Sequence, residues 1–245
     1  MNIRDEAVLR ELNLYPLWVR RAAVSSAGTA PVNPVPASEE QASAAAAPAP
    51  VALRQPPAAP ASSLDWPELK RQVHDCTACK LRAGCTQTVF GVGDEKAEWL
   101  FVGEGPGADE DAQGEPFVGQ AGKLLDNMLA SIRLKRGNNV YIANIVKCRP
   151  PGNRTPEPDE VAACLPYLQR QIELVKPRLI VALGKTAATS LLGRDATLGS
   201  LRGTLHDYRG TPLIVTYHPA YLLRSPAEKA KAWQDLCFAR QRMQT

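Results

Sequence analysis

Four of the six cysteines in this 245-residue chain are spaced in a way that suits a bound metal or cluster. Cys76 and Cys79 form a C-x2-C pair, and Cys148 and Cys164 follow far downstream. Four thiolates hold either a zinc ion or a [4Fe–4S] cluster. Structural zinc more often uses two closely spaced pairs, so the widely split second pair favours a cluster. The spacing alone leaves both groups open.

The two remaining cysteines have weaker claims to a ligand role. The chain has no run of about 18 apolar residues and no apolar signal core, which predicts a cytoplasmic protein without a membrane span. In that reducing compartment we expect no disulfides. Cys237 falls on the apolar face of a predicted helix, where a thiol behaves as a small hydrophobic residue. Cys85 is harder to interpret, because C-x2-C-x5-C also has a ligand-like spacing.

A second group of candidate residues lies just after predicted strands. Glu104 stands between Gly103 and Gly105, and glycines let the backbone approach a ligand closely. The segment lacks the Gly-Lys-Ser/Thr of a P-loop and the glycine spacing of a dinucleotide fingerprint. Phe117 precedes a predicted helix, where it either stacks on a flat ligand or fills the core beneath a loop.

Two further polar residues end predicted strands. Asn144 interrupts an apolar run, so its buried amide serves either as a structural tie or as a reader of a base edge. His218 is followed by Pro219, which stops the strand and aims the imidazole at the edge of the sheet. A lone histidine at such a position is more often structural, so its neighbours decide the interpretation.

Strands alternate with helices over most of the chain. The strands are predicted at residues 98–102, 140–146, 178–183 and 212–217. The helices are predicted at residues 119–132, 158–175, 185–192 and 227–242. This alternation predicts an α/β fold in which a mainly parallel, four-stranded sheet is covered on both faces. Ligands of such sheets bind outside the C-terminal ends of the strands.

The N-terminal part of the chain has a different character. Residues 1–23 are predicted to form a short amphipathic helix, and the Ala/Pro-rich residues 24–63 are predicted to be a disordered linker. The folded domain is then expected at 64–245, with Asp65 as an N-cap and Glu68 at the capping-box position. The first helix either docks on a protein partner or is a dispensable or back-folded extension. The net charge of +4 suits a polyanionic partner without requiring one.

Together these motifs closely resemble the family 4 uracil-DNA glycosylases over residues 73–245. The matching residues are Cys76, Cys79, Cys148 and Cys164, with GEGPG at 103–107, PFVGQAG at 116–122, NIVKCRPP at 144–151 and HPAYLLR at 218–224. The resemblance implies a three-layer α/β/α sandwich and a [4Fe–4S] cluster held by these four cysteines. Cys85 falls where the family has no ligand, so we treat it as a non-ligand.

The resemblance also implies an activity, the hydrolysis of the N-glycosidic bond of uracil flipped out of DNA, which leaves an abasic site and starts base excision repair. His218 would face uracil O2 and stabilise the leaving anion, and Glu104 would orient water or face the sugar cation. The backbone of Gly103 and Gly105 would approach the base. Phe117 would stack on the base, and Asn144 would read its O4 and N3–H edge.

DNA contacts are expected from the last motif and from the loop after the second strand. Leu222 and Leu223 are expected to fill the gap in the base stack as an apolar wedge. Arg224 and Arg149, together with Lys147, are expected to contact phosphates, although each could instead be a solvated surface charge. A monomer is expected, because no feature of the sequence indicates an oligomer.

Three other classes of protein remain to be weighed. A covalent trap of uracil-containing DNA would need a histidine in the loop after the second strand, and residues 149–163 contain none. An electron carrier would not need Glu104, Phe117, Asn144 and His218 gathered at strand ends. A non-catalytic, polymerase-associated module that only binds DNA would suit the N-terminal helix and linker.

Overall fold

The structure is a computed structural model that describes residues 63–244. The helices are α1 (Trp66–His74), α2 (Ala108–Gln113), α3 (Gln120–Ser131), α4 (Pro158–Val175), α5 (Lys185–Leu192), α6 (Leu198–Leu201), α7 (Pro219–Arg224) and α8 (Lys229–Met243). The strands are β1 (Val92–Gly93), β2 (Trp99–Gly103), β3 (Val140–Asn144), β4 (Leu179–Leu183), β5 (Leu205–Tyr208) and β6 (Thr211–Thr216). The helix predicted at 1–23 and nearly all of the linker predicted at 24–63 lie outside the described residues.

The strands form one six-stranded sheet in the order β1-β3-β2-β4-β6-β5. The four central strands run parallel, which confirms the predicted α/β class, and the two edge strands are antiparallel to their neighbours. The prediction of four strands missed both edges. β1 has only two residues, too few to show a period of two. β5 is short and joins β6 through Arg209 and Gly210, whose φ angles of 50° and 86° form a tight hairpin turn.

Helices cover both faces of the sheet, so the predicted three-layer sandwich is confirmed. All five residues of β2 are buried, as are those of β3 and β4, which is typical of parallel strands enclosed on both sides. Alternate side chains point to opposite faces. Leu100 and Val102 pack with α4 and α5, whereas Trp99 and Phe101 pack with α3 and α8.

Local sequence sets where the helices begin. The carboxylate of Asp65 accepts the backbone N–H of Glu68 at 3.0 Å, so the predicted N-cap of α1 is confirmed. The Glu68 side chain turns to Arg71 at 2.7 Å instead of closing the capping box. Pro158 begins α4, and Glu160 accepts the backbone N–H of Glu157 at 2.7 Å. Within residues 63–244, no helix is long and apolar enough to cross a bilayer.

The register brings the C-terminal ends of the four parallel strands to one edge of the sheet. Gly103 of β2 is paired with Asn144 of β3, and Leu183 of β4 is paired with Thr216 of β6. The residues near these ends therefore meet, although the ends of β2 and β6 lie more than a hundred positions apart in the sequence.

Candidate active site

A cleft of about 440 Å³ opens at this edge of the sheet. The cleft brings together six of the residues that the sequence predicted for the site. They are Glu104, Gly105, Phe117, Asn144, His218 and Arg224. The predicted residues Gly103, Arg149, Leu222 and Leu223 do not line the cleft. Side chains that the sequence did not single out for the base pocket, among them Glu110, Arg154 and Tyr221, complete its wall.

Glu104 is fixed at both its backbone and its side chain. Its carbonyl accepts the backbone N–H of Val146 at 3.1 Å, which continues the pairing of β2 with β3 beyond the strands. Its carboxylate Oε2 accepts the hydroxyl of Thr186 at 2.5 Å. Thr186 lies in the first turn of α5, and no local pattern predicts this contact between residues 82 positions apart.

Asn144 is 2% exposed, and its Oδ1 has no hydrogen-bond partner among the described residues. A buried acceptor left without a donor costs about 1–3 kcal/mol, and a ligand N–H would remove that cost. Gly103 is what allows this arrangement. A Cβ there would lie 2.4 Å from Asn144 Oδ1 and 2.5 Å from Cζ of Phe117, so only glycine fits between the amide and the ring.

Gly105 serves a different purpose. A Cβ at this position would lie 2.8 Å from Cγ2 of Val146, so the close passage of the loop over β3 accounts for this glycine. Gly105 also lines the cleft, as its predicted role requires.

Phe117 is held in an unusual backbone conformation. Its φ of 57° lies in the left-handed region, which costs a non-glycine residue about 1–3 kcal/mol. Arg136 donates to the carbonyls of Pro116 and Phe117 at 2.8 and 2.7 Å. The Glu110 carboxylate accepts the N–H of Val118 at 2.9 Å and also that of the next residue. These two charged side chains fix the loop, and the Phe117 ring centroid lies 5.5 Å from that of His218.

His218 is the N-cap of α7, and its Nδ1 accepts the backbone N–H of Ala220 at 3.2 Å. A neutral imidazole that accepts at Nδ1 carries its proton on Nε2. Burial, assisted by the nearby cation of Arg224, lowers the pKa of His218 from 6.5 to about 4. The side chain is therefore a neutral hydrogen-bond donor at physiological pH.

The predicted two-leucine wedge is wrong for Leu222. Leu222 is 1% exposed and packs in the core formed with α3 and α8, because the HPAYLLR segment forms a helix that turns it inward. Leu223 is 43% exposed and Tyr221 is 37% exposed, so these two side chains face outward. Arg224 is exposed and makes no ion pair within residues 63–244.

The structure corrects one of the predicted phosphate contacts. Lys147 is fully buried, and its ammonium donates to the carbonyl of Asn144 at 2.9 Å and to Gln171 at 2.6 Å, so it cannot reach DNA. Arg149 is partly exposed and donates to the side chain of Asn153 at 2.7 Å, beside the cleft rather than in its wall.

Arg154 enters the cleft wall from the same loop. Its guanidinium forms two hydrogen bonds, at 2.8 and 2.6 Å, with the buried carboxylate of Glu160 on α4. The pair lowers the pKa of Glu160 from 4.5 to about 2, chiefly through the hydrogen bonds from Arg154. Lys80 also binds Glu157 at the start of α4, so the loop, α4 and the segment after Cys79 are tied together.

The four predicted ligand cysteines line one small apolar pocket. They are Cys76, Cys79, Cys148 and Cys164. The backbone N–H of Lys147 donates to Sγ of Cys164 at 3.2 Å. Burial raises the pKa of the Cys164 thiol to about 11 and also raises the pKa of the Cys148 thiol. Cys85 does not line this pocket, and its thiol donates to the carbonyl of Arg82 at 3.7 Å.

Known proteins resemble this chain over the region that contains the cleft. The family model described as the uracil DNA glycosylase superfamily matches residues 90–237. A type-4 uracil-DNA glycosylase of Archaeoglobus fulgidus is 46% identical over 172 residues, which cover 67% of this chain and 85% of that protein. One from Pyrobaculum aerophilum is 44% identical over 183 residues, covering 71% of this chain and 93% of that protein. One from Thermotoga maritima is 44% identical over 165 residues, covering 66% of this chain and 85% of that protein.

The family match spans the strand ends and the cleft, and the similarity extends over most of each relative. The chain therefore belongs to the uracil DNA glycosylase superfamily and, within it, to the type-4 uracil-DNA glycosylases.

Proposed function

We propose that this protein is a monofunctional uracil-DNA glycosylase that hydrolyses the N-glycosidic bond of a flipped-out deoxyuridine and leaves an abasic site for base excision repair. The observation that carries the proposal is the unpartnered, buried Oδ1 of Asn144, which lies in a cleft that also holds His218 and Glu104. A base must leave the stack to be cleaved, at a cost of about a few kcal/mol, so the enzyme needs such a pocket.

Phe117 and Asn144 select the base. The clamped ring of Phe117 offers a flat apolar face for stacking. The amide oxygen of Asn144 accepts N3–H of uracil, and its NH2 group donates to O4. Cytosine has an acceptor at N3 and a donor at C4, so both hydrogen bonds are lost. A pocket whose buried polar groups would remain unpaired discriminates strongly against the wrong base.

His218 stabilises the leaving group. As the glycosidic bond breaks, negative charge develops on uracil, and the Nε2–H of the neutral imidazole donates to O2. A preorganised donor of this kind is worth about 3–4 kcal/mol in the transition state. The lowered pKa of His218 supports donation by a neutral ring without full proton transfer.

Glu104 acts on the sugar side of the bond. Its carboxylate orients the attacking water, and its negative charge faces the cationic character that develops on the sugar. Gly105, which lines the cleft, allows the backbone to approach the base, whereas Gly103 makes room for Asn144 and Phe117.

DNA is held around the cleft by exposed residues. Leu223 is the wedge that fills the vacated place in the base stack, since Leu222 is buried. Arg224 and Arg149 contact phosphates, and the partly exposed Arg154 in the cleft wall extends this track. Binding would then weaken as the salt concentration rises.

The four-cysteine pocket suits a [4Fe–4S] cluster. Four thiolates are the usual ligand set of such a cluster, and Cys76, Cys79, Cys148 and Cys164 all line this pocket. When bound, the cluster would supply a rigid anchor. Cys148 and Cys164 would thereby fix both ends of the loop that carries Arg149 and Arg154.

The remaining expectations form part of the same proposal. The enzyme acts as a monomer on DNA in the cytoplasm. Residues 1–23, which lie outside the described residues, either recruit a protein partner or are a dispensable or back-folded extension. The alternative is a protein that binds uracil-containing DNA covalently or without catalysis. The absence of histidine from residues 149–163 argues against the covalent form, and the assay below tests the non-catalytic form.

The test uses a labelled oligonucleotide with one uracil, followed by alkali cleavage of abasic sites. The wild type should cut at the uracil, and His218→Ala and Glu104→Ala should lose most of this activity. His74→Ala is the matched control, because the His74 side chain is 78% exposed on α1. Intact DNA binding without cutting or a covalent adduct would favour the non-catalytic alternative.

A further inference from the structure

The end of β4 contributes a side chain to the cleft region that the mechanism above leaves without a role. The other three parallel strands each supply a residue of the proposed chemistry. They supply Glu104 after β2, Asn144 at the end of β3 and His218 after β6. β4 leads into α5, whose first turn holds Thr186, and the Thr186 hydroxyl donates to Oε2 of Glu104 at 2.5 Å.

We propose that Thr186 is a positioning residue for Glu104. Its hydroxyl holds one carboxylate oxygen, and the other oxygen, Oε1, is thereby presented to the attacking water and the sugar. This inference rests on the proposed glycosylase function, and it assigns the end of β4 a part in the reaction.

The contacts of Glu104 support this role. The hydrogen bond from Val146 to the Glu104 carbonyl fixes the backbone but leaves the side chain free to rotate. The bond from Thr186 is the only side-chain hydrogen bond that the carboxylate makes within residues 63–244. A hydroxyl–carboxylate bond of about 2.5–2.7 Å is of the charge-assisted type, which is roughly twice as strong as a neutral one.

Thr186 is itself well placed to aim a carboxylate. Gly184, with a φ of 92°, turns the chain from β4 into α5, and its N–H donates to the carbonyl of Thr216 at 2.8 Å. This bond ties the ends of β4 and β6 together at the base of the cleft. The branched Cβ of Thr186 restricts its χ1 rotation, so the hydroxyl keeps one direction.

The test compares three single variants of the full-length protein. Thr186→Val removes the hydroxyl and keeps the shape, whereas Thr186→Ser keeps the hydroxyl. Thr189→Val is the matched control, because the Thr189 hydroxyl donates within α5 to the carbonyl of Lys185 at 3.0 Å. Single-turnover and steady-state uracil excision give kcat and KM, and thermal unfolding checks that each variant is folded.

We expect Thr186→Val to lower kcat by about 10- to 100-fold with little change in KM, the usual scale for a misplaced catalytic group. Thr186→Ser and Thr189→Val should stay within a few-fold of the wild type. In the Glu104→Gln background, Thr186→Val should have little further effect, because the two residues act as one unit.

The outcomes separate this inference from the proposed function. A wild type that does not release uracil contradicts the proposed function. If the wild type is active, a Thr186→Val variant with unchanged kcat overturns the positioning role alone. A loss confined to KM, or an equal loss in Thr186→Ser, overturns it as well, since neither follows from losing the hydroxyl bond.

Discussion

The backbone N–H of Ala220 donates to Nδ1 of His218 at 3.2 Å and so determines which ring nitrogen of the imidazole can act on a ligand. With Nδ1 occupied, the proton of the neutral ring is on Nε2. The bond depends on Pro219, which begins α7 and places the N–H of the following residue within hydrogen-bond distance of Nδ1. The HPA sequence thus preorganises a hydrogen-bond donor for a developing anion.

The first prediction concerns the pH dependence of this histidine. Because the pKa of His218 is lowered to about 4, kcat should show no inflection near pH 6.5. Stability should change in that range. Unfolded His218 takes up a proton below pH 6.5 and folded His218 does not, so folding stability should decrease as the pH falls from 6.5 to about 4. NMR titration of the His218 ring measures the pKa directly, and a midpoint near 6.5 would contradict this account.

Asn144 should show opposite effects on activity and stability. Asn144→Ala removes a buried oxygen that has no partner within residues 63–244, so the melting temperature should fall little or even rise. At the same time kcat/KM for uracil should drop at least about 100-fold, because both base-reading hydrogen bonds are lost. Calorimetry and excision kinetics on one preparation test both statements. A strongly destabilised variant with full activity would make Asn144 a structural tie instead.

Arg136 should matter for activity although it lies outside the cleft wall. Arg136→Gln removes both donors to the loop carbonyls and releases the left-handed backbone of Phe117. We expect kcat/KM to fall about tenfold because the stacking ring loses its fixed position. Lys135→Gln, a neighbouring charge change on the surface, serves as the control. Equal kinetics for the two variants would show that the Arg136 contacts do not position the ring.

The bond from Arg154 to Glu160 should support the loop in a pH-dependent way. The folded pKa of Glu160 is about 2 against 4.5 in the unfolded chain, so its stabilising contribution is complete above pH 4.5 and is lost as the pH falls towards 2. Glu160→Gln should therefore lower the melting temperature at pH 7, and the gap to the wild type should narrow at acidic pH. Thermal unfolding at several pH values measures the gap, and a gap that does not vary with pH would be inconsistent with the ion pair.

The cysteine pocket makes a chemical prediction. The purified protein should be brown and contain iron and acid-labile sulfide. Cys164→Ala should lose the visible absorbance, whereas Cys237→Ser and Cys85→Ser should keep it, because neither residue lines the pocket. Metal analysis decides between a zinc ion and a [4Fe–4S] cluster, the two possibilities that the cysteine spacing left open. Zinc in place of iron would refute the cluster.

The sequence allowed prediction of those site residues whose position is indicated by the neighbouring residues in the chain. Glu104 and His218 follow apolar strands and Asn144 ends one, and the parallel order of those strands brings them together. Leu222 was assigned wrongly because no helix was predicted over residues 219–224. Pro219 at the first turn of α7 and the three-residue spacing to Leu222 indicate a helix with both residues on its inner face.

Other features had no local signal. Thr186, Glu110 and Arg136 are ordinary polar residues until the fold places their partners beside them. The contact from Thr186 to Glu104 spans 82 positions, and the contact from Arg136 to Phe117 depends on how α3 returns to the loop. Buried Lys147 looked like a surface charge because only the fold shows that Gln171 and the Asn144 carbonyl enclose it.

The most direct test of the account is to measure free uracil released from DNA by the purified wild-type protein. Matched oligonucleotides would carry uracil, cytosine or thymine at one position. The account predicts stoichiometric or greater release of uracil, an abasic site in the same strand, no protein–DNA adduct, and no release of the other two bases. Binding of uracil-containing DNA with no free base released, in a correctly folded sample, would contradict it.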